Sequence, residues 1–150
     1  MNHSLSRLLR LRVLLEDVSR VELEARLQEL TQIESALVQS KNIGSAMRQQ
    51  KFSSIAQSQI ADWLEAQAVG DWVTRELGML EKMSGNKRAE VIDAQAGYLL
   101  RRKERRQVES VMEARRSARA IEQSRREQRA LDDWFGQGSG RIINQGTDLT

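Results

Sequence analysis

The sequence predicts an all-α fold, an elongated antiparallel two-helix coiled-coil hairpin. The 150 residues include no proline and no cysteine, and their apolar side chains recur every three or four positions, the spacing of a helix face. With 39% hydrophobic, 30% charged and 4% aromatic residues, the chain is too polar for a thick core and too aliphatic for disorder. A narrow apolar stripe cannot be buried on its own helix, so we expect a second helix to lie against it.

The first helix is predicted from about residue 5 to 41, with Ser4 or Ser6 as the N-cap. Its apolar side chains form one stripe with a mean spacing close to a helical turn, and we expect that stripe to face the second helix. The stripe consists of Leu8, Leu11, Leu15, Val18, Leu23, Leu27, Leu30, Ile33 and Leu37.

The chain reversal is predicted within residues 42–54, where Asn42, Gly44 and Ser45 are residues typical of turns. Ser54 and Gln57 have the spacing of a capping box, which predicts that the second helix begins at about residue 54. Residues 84–87, which include Gly85, predict either a kink or break in that helix or an alternative position for the turn. The sequence leaves both positions open.

The second helix is predicted to run from about residue 54 to 135, roughly 120 Å at a rise of 1.5 Å per residue. Because the first helix is less than half as long, part of the second must remain unpaired or contact another protein. Its distal apolar stripe comprises Val111, Ala114, Ala118, Ile121, Gln128, Leu131 and Phe135. Gly136, Gly138 and Gly140 predict a flexible tail over residues 136–150.

Positive charge is concentrated on the distal part of the second helix, where residues 87–135 carry 13 basic and 9 acidic side chains. Six arginines share one arc of the helical wheel, opposite Ala114, Ala118 and Ile121. They are Arg101, Arg105, Arg115, Arg116, Arg119 and Arg126. This arginine ridge has three interpretations: a solvated face neutralised by neighbouring glutamates, a contact for an acidic protein surface, or a nucleic-acid contact, which the interleaved acids disfavour.

The residue types that build active sites are scarce in this chain. His3 is the only histidine, there is no cysteine, and the carboxylates lie among arginines on exposed helical faces. The run from Gly136 to Gly140 lacks the strand and the Gly-Lys-Ser/Thr ending of a phosphate-binding loop. We therefore expect a protein that is not an enzyme and that has no metal, cofactor or small-molecule substrate.

Apolar runs in the sequence are short, about three residues against the roughly 20 that a membrane-spanning helix needs. No secretory signal is visible, because arginines interrupt the first leucines. We therefore expect a cytoplasmic protein.

The three tryptophans have two interpretations each. Trp63 and Trp72 could fill wide parts of the helix–helix interface or remain exposed as anchors for a partner. For Trp134, near the end of the second helix, the partner interpretation is at least as well supported as the interface interpretation.

Three stretches resemble the flagellar export protein FliJ and the related stalk proteins of type III secretion, and the resemblance spans roughly residues 5–135. They are LSRLLRLRVLLEDVSRVELEARLQEL from Leu5, YLLRRKERRQVESVMEARR from Tyr98, and RREQRALDDWF from Arg125. In the last stretch Arg126, Gln128, Leu131 and Asp132 match the family's Arg-x-Gln-x-x-Leu-Asp pattern.

The resemblance implies a stalk or chaperone-escort component of the export apparatus, peripherally associated with the membrane. Its implied partners are the hexameric export ATPase, the export-gate membrane protein and export chaperones. The residues expected to bind the ATPase are the six ridge arginines together with Gln128, Leu131, Asp132 and Trp134. Those expected to bind the gate are Ile60, Trp63 and Leu64. The alternatives are a self-associating structural coiled coil and, less favoured, a basic helix that binds nucleic acid.

Overall fold

The computed structural model describes residues 2–144, with side-chain surroundings for residues 3–137. Helix α1 spans Asn2–Ala56 and helix α2 spans Ile60–Asn144, and no strand occurs in this part of the chain. The predicted all-α, two-helix hairpin is therefore confirmed. The chain divides into two compact units, a central unit of residues 10–104 and a distal unit formed by Met1–Leu9 with Arg105–Thr150.

The reversal occupies residues 57–59 and is built by a Schellman motif at the end of α1. The Gln59 N–H donates to the Ser54 carbonyl at 2.9 Å, and the Ser58 N–H donates to the Ile55 carbonyl at 3.2 Å. Ser58 adopts φ 56°, the left-handed conformation that this motif requires. The Gln59 carbonyl then accepts the Trp63 N–H at 3.2 Å, which starts α2.

The prediction of a turn within residues 42–54 was wrong, because the turn-type residues there are accommodated in the helix. The hydroxyls of Ser45 and Ser54 donate to the carbonyls four residues earlier, at 3.0 and 2.9 Å. Gly44 has a packing role, because a Cβ at this position would lie 3.2 Å from Cγ1 of Val73. α1 therefore continues to Ala56.

Helix α2 is continuous through residues 84–87, so the break expected there is not present. Ser84 is buried, and a Cβ on Gly85 would meet nothing within 4 Å. The helix also continues through the glycines after Phe135 to Asn144, which corrects the expected start of a flexible tail. A helical glycine costs only about 1 kcal/mol, and no proline follows to stop the helix. Residues 145–150 lie outside the described part of the chain.

In the central unit the less exposed positions of both helices follow steps of three and four residues, which is the seam of a coiled coil. On α1 the seam positions are Arg12, Glu16, Ser19, Leu23, Arg26, Leu30, Ile33, Leu37, Ser40, Gly44, Met47, Lys51 and Ser54. On α2 they are Trp63, Ala66, Gly70, Val73, Leu77, Leu80, Ser84, Lys87, Val91, Ala94, Tyr98 and Arg101. Only Leu37, Ala66 and Val73 are buried apolar residues among those described.

The predicted apolar stripe of α1 coincides with this seam at Leu23, Leu30, Ile33 and Leu37. Leu11 and Val18 are 52% and 64% exposed, because the seam continues toward the N-terminus through Ser19, Glu16 and Arg12 instead. The five-residue step between Val18 and Leu23 marks the point where the aliphatic stripe leaves the seam. Leu27 and Leu8 are also exposed.

Ion pairs between the helices fix the antiparallel register of the central unit. Arg12 meets Glu104 at 2.6 Å, Arg26 meets Glu90 at 3.1 Å, Lys87 meets Glu29 at 2.6 Å and Arg88 meets Glu34 at 2.9 Å. The pairs run from Arg12 with Glu104 near the start of α1 to Glu34 with Arg88 farther along it, so the start of α1 lies beside the later part of α2 in this unit, as antiparallel packing requires. Each exposed pair contributes at most about 1 kcal/mol. Their collective effect is to disfavour other registers.

In the distal unit, only the first residues of α1 accompany α2. Leu5 and Ser6 line a small cavity of about 110 Å³ together with Met112 and Arg115. Every side chain from residue 113 to 137 is exposed. The predicted distal stripe of α2 therefore has no helix of this chain packed against it.

Candidate functional site

The first candidate surface is the exposed helix of the distal unit, which carries arginines at regular helical spacing. Arg115, Arg119 and Arg126 follow one another at steps of four and seven residues, which places them on one face of the helix. Arg116 is 72% exposed with Glu113 at 3.8 Å, and Arg126 is 74% exposed with Glu122 at 3.0 Å. The glutamates therefore neutralise part of this face, as the sequence suggested.

Two of the six ridge arginines are engaged by carboxylates of α2. Arg101 in the central unit lies 3.2 Å from Glu104, the carboxylate that also binds Arg12 of α1. Arg105 in the distal unit lies 2.6 Å from Glu109, and only 24% of its side chain is exposed. These two arginines are engaged within the hairpin, so the exposed part of the ridge begins at Arg115.

An apolar group lies beyond the arginines on the same helix. Leu131, Trp134 and Phe135 are 57%, 69% and 62% exposed. The two aromatic rings meet edge to face, with centroids 5.0 Å apart and an interplanar angle of 75°. Their spacing of three and four residues places all three side chains on one face of the helix. The exposure of Trp134 makes it available as an anchor for a partner.

The second candidate surface surrounds the turn of the central unit. Ile60 and Leu64 are 74% and 56% exposed, while Trp63 is half-buried with the Lys51 ammonium 5.2 Å from its ring centroid. Lys51 Nζ also donates to Oε1 of Gln67. A shallow apolar cavity of about 490 Å³ lies between the helix ends, with Trp63 in its wall. The three residues predicted for gate binding therefore share one surface.

Two residues of this turn surface were missed by the sequence analysis. Phe52 and Ile55 are 74% and 59% exposed at the end of α1. They were not recognised because the turn was expected within residues 42–54, which would have placed Phe52 in the turn and Ile55 at the start of α2. Trp72 is also 53% exposed in the central unit, so it does not fill the helix–helix interface.

The strongest electrostatic coupling in the described residues joins the two helices of the central unit. Lys87 contacts both Glu29 and Glu90, at 2.6 and 2.8 Å, and Arg26 contacts both glutamates, at 3.4 and 3.1 Å. Hydrogen bonding to Lys87 lowers the pKa of Glu29 below its ordinary value of 4.5. The hydrogen bonds from Glu29 and then Glu90 raise the pKa of Lys87 above 10.5. Glu29 and Lys87 therefore stay charged near neutral pH and hold the two helices together as an ion pair.

The described residues contain no group of three or more His, Cys, Asp or Glu side chains that could hold a metal ion. None of the described helical residues form a stretch long and apolar enough to cross a bilayer. The two candidate surfaces present exposed arginines and exposed apolar side chains, which are groups that suit contact with other proteins.

Comparison with protein families gives one finding. The family model described as "Flagellar FliJ protein" matches residues 1–141, which is nearly the whole chain. No curated protein and no solved structure is significantly similar to it.

Proposed function

Because the chain belongs to the FliJ family, we propose that it is a stalk that binds the hexameric export ATPase through its distal unit and the export gate through its turn. Membership of the family makes the protein a component of the flagellar export apparatus, with a structural and export role. The family match spans both helices, including the part of α2 from residue 113 to 137, whose side chains are all exposed. The proposal concerns which partners those helices contact.

One observation carries the ATPase assignment: residues 113–137 of α2 are helical, and all of their side chains are exposed. A helix without a packed face is ordinarily marginal in water, and its stability in a protein comes from tertiary contacts. A ring with a central channel would supply such contacts. The arginines from Arg115 to Arg126 would meet carboxylates of the ring, and Trp134 would supply an apolar anchor.

Within the set of residues expected to bind the ATPase, we assign direct contact to the exposed members. These are Arg115, Arg116, Arg119, Arg126, Gln128, Leu131, Asp132 and Trp134. Arg101 and Arg105 are assigned an indirect role, because their guanidinium groups are engaged by Glu104 and Glu109.

The gate assignment is supported by the exposed apolar side chains around the turn. Ile60, Leu64 and the cavity beside Trp63 form a surface that a partner could cover, and Phe52 and Ile55 extend it. Export chaperones are further proposed partners, in keeping with the family.

The proposal is tested by measuring stimulation of the purified export ATPase. Charge reversal of Arg115, Arg116 and Arg119 to glutamate is expected to reduce stimulation at least fivefold while the helical circular dichroism signal is retained. The matched control reverses three exposed cations of the central unit and changes the net charge equally. They are Arg10, Lys82 and Lys103. Equal loss in both variants would show a general charge effect and contradict the assignment.

Sedimentation tests the alternative of a self-associating structural coiled coil, which the exposed α2 also favours. The stalk assignment predicts a monomer or weak oligomer alone and a larger complex when the hexameric ATPase is added. Tight dimers without the ATPase, unchanged on its addition, would support the structural alternative instead.

A further inference from the structure

A groove beside the seam of the central unit is used by neither of the proposed partner surfaces. It has a volume of about 450 Å³ and lies between residues 41–51 of α1 and residues 66–77 of α2. Its apolar floor consists of the half-buried side chains of Met47 and Leu77, which lie beside the buried residues Ala66 and Val73. The groove follows the two helices for about twelve residues, roughly 17 Å or three turns of an α-helix.

Gly70 opens this groove without any packing reason inside the chain. A Cβ on Gly70 would meet nothing within 4 Å, whereas a Cβ on Gly44, the other seam glycine, would press on Val73 at 3.2 Å. Glycine destabilises a helix interior, so Gly44 is explained by close approach and Gly70 is not. The space above Gly70 is available to a side chain of another molecule.

The rim of the groove is cationic. Lys41 and Arg48 are exposed on α1, and Lys51 of α1 reaches across to donate to Oε1 of Gln67 on α2. The only acidic lining residue, Asp71, accepts a hydrogen bond from the Gln67 amide at 3.0 Å. The lining residues therefore carry three positive charges and one negative charge. A partner with carboxylates beside its apolar face would match this distribution.

We propose that this groove binds an acidic amphipathic helix of a partner protein. Apolar side chains of that helix would lie on the floor above Gly70, and its flanking carboxylates would pair with Lys41 and Arg48. A helix fits because the groove runs parallel to two helices for about three turns, as in other recognition of a helix by a groove. The site is distinct from the distal helix and the turn surface, so this inference extends the proposed function.

The test uses the full chain and two labelled 21-residue helical peptides, followed by fluorescence anisotropy. Both peptides carry leucines at helical spacing along one face, flanked in one by glutamates and in the other by lysines. The glutamate peptide is expected to bind at least tenfold more tightly than the lysine peptide, with affinity that falls as salt is added.

Gly70→Leu fills the groove and is expected to weaken binding of the glutamate peptide at least tenfold without lowering the melting temperature. Gly78→Leu is the matched control, because Gly78 lies in the same helix outside the groove and a Cβ there also meets nothing within 4 Å. It should leave binding unchanged. If Gly70→Leu lowers the melting temperature, Gly70→Ala replaces it, with a weaker but measurable loss of at least threefold expected.

Charge reversal on the rim of the groove gives a second, independent test of the proposal. Lys41→Glu combined with Arg48→Glu should switch the preference from the glutamate peptide to the lysine peptide. The inference is overturned if the wild-type chain binds neither peptide, binds both equally, or binds the glutamate peptide as tightly after the Gly70 substitution as before. Because neither the ATPase nor the gate protein is present, such a failure leaves the proposed stalk function untouched.

Discussion

Lys87 of α2 donates a hydrogen bond to Glu29 of α1 across the interface of the two helices, at 2.6 Å. The same ammonium contacts Glu90, and Arg26 completes the alternation of charges. The seam therefore contains cations that contact the opposite helix in place of aliphatic side chains, and its cohesion depends on pH.

The first prediction concerns acid. The pKa of Glu29 is lowered by Lys87, so its contribution to stability is present above the unfolded-state pKa and is lost as pH falls through the folded-state pKa, below 4.5. Glu29→Gln should lower the melting temperature at neutral pH, and the difference from wild type should vanish in acid. Thermal unfolding followed by circular dichroism from pH 7 to pH 3 checks this. Glu22→Gln, at an exposed position outside the cluster, should show no such pH-dependent difference.

A companion prediction concerns the contribution of Lys87 to stability at high pH. Its raised pKa means that its contribution is present below the unfolded-state pKa and is lost as pH rises through the folded-state pKa, above 10.5. Lys87→Met should therefore differ from wild type at neutral pH and approach it in strong alkali. A constant difference across that range would show that Lys87 acts through its aliphatic stem alone.

The second prediction tests the close approach at Gly44. Gly44→Ala should destabilise the protein by about 1–2 kcal/mol, because the new methyl group would press on Val73, which is 1% exposed and β-branched. In a Val73→Ala background the same substitution should become stabilising by about 1 kcal/mol, the ordinary gain of alanine over glycine in a helix. Denaturant unfolding of the four variants measures this double-mutant cycle.

The third prediction concerns Ser58, which adopts φ 56° in the turn. Ser58→Gly should raise the free energy of unfolding by about 0.5–1 kcal/mol, because glycine reaches the left-handed conformation without a Cβ penalty. Ser53→Gly is the control, since Ser53 is exposed and helical and glycine there should lower stability. A gain in both variants would argue against the Schellman geometry.

The fourth prediction tests the distal anchor. Trp134→Ala should reduce the apparent affinity for the export ATPase roughly tenfold, as expected for an aromatic anchor that becomes buried in the complex. The melting temperature should be unchanged, because Trp134 is 69% exposed in the free chain. Trp72→Ala is the matched control, since Trp72 is 53% exposed in the central unit. ATPase stimulation titrated with each variant gives the comparison.

The helix periodicity and lack of proline were sufficient to predict two long helices, because these signals are local. The turn was misplaced because Gly44 and Ser45 are ambiguous: glycine serves close packing as well as reversal, and a serine hydroxyl can bond within the helix. The actual turn contains Gln57, Ser58 and Gln59, which carry no strong turn signal. Ser58 takes the left-handed conformation without being glycine or asparagine.

The seam was predicted only in part because hydrophobicity was the guide. Leu11, Leu14 and Val18 are more apolar than Arg12, Glu16 and Ser19, yet the latter three lie at the interface. Partners such as Glu104 for Arg12 lie far along the chain, and no local pattern identifies them.

Seven of the thirteen α1 seam positions in the central unit are charged or carry a hydroxyl group. Little aliphatic surface is withdrawn from water when these helices meet, so the free-energy well that holds them together is shallow. A force that pulls the two helices apart would therefore separate α1 from α2 before either helix lost its own backbone hydrogen bonds. Raising the ionic strength would lower the force needed to separate these helices, because salt screens the ion pairs. In a coiled coil held by leucines alone, salt would strengthen the association instead.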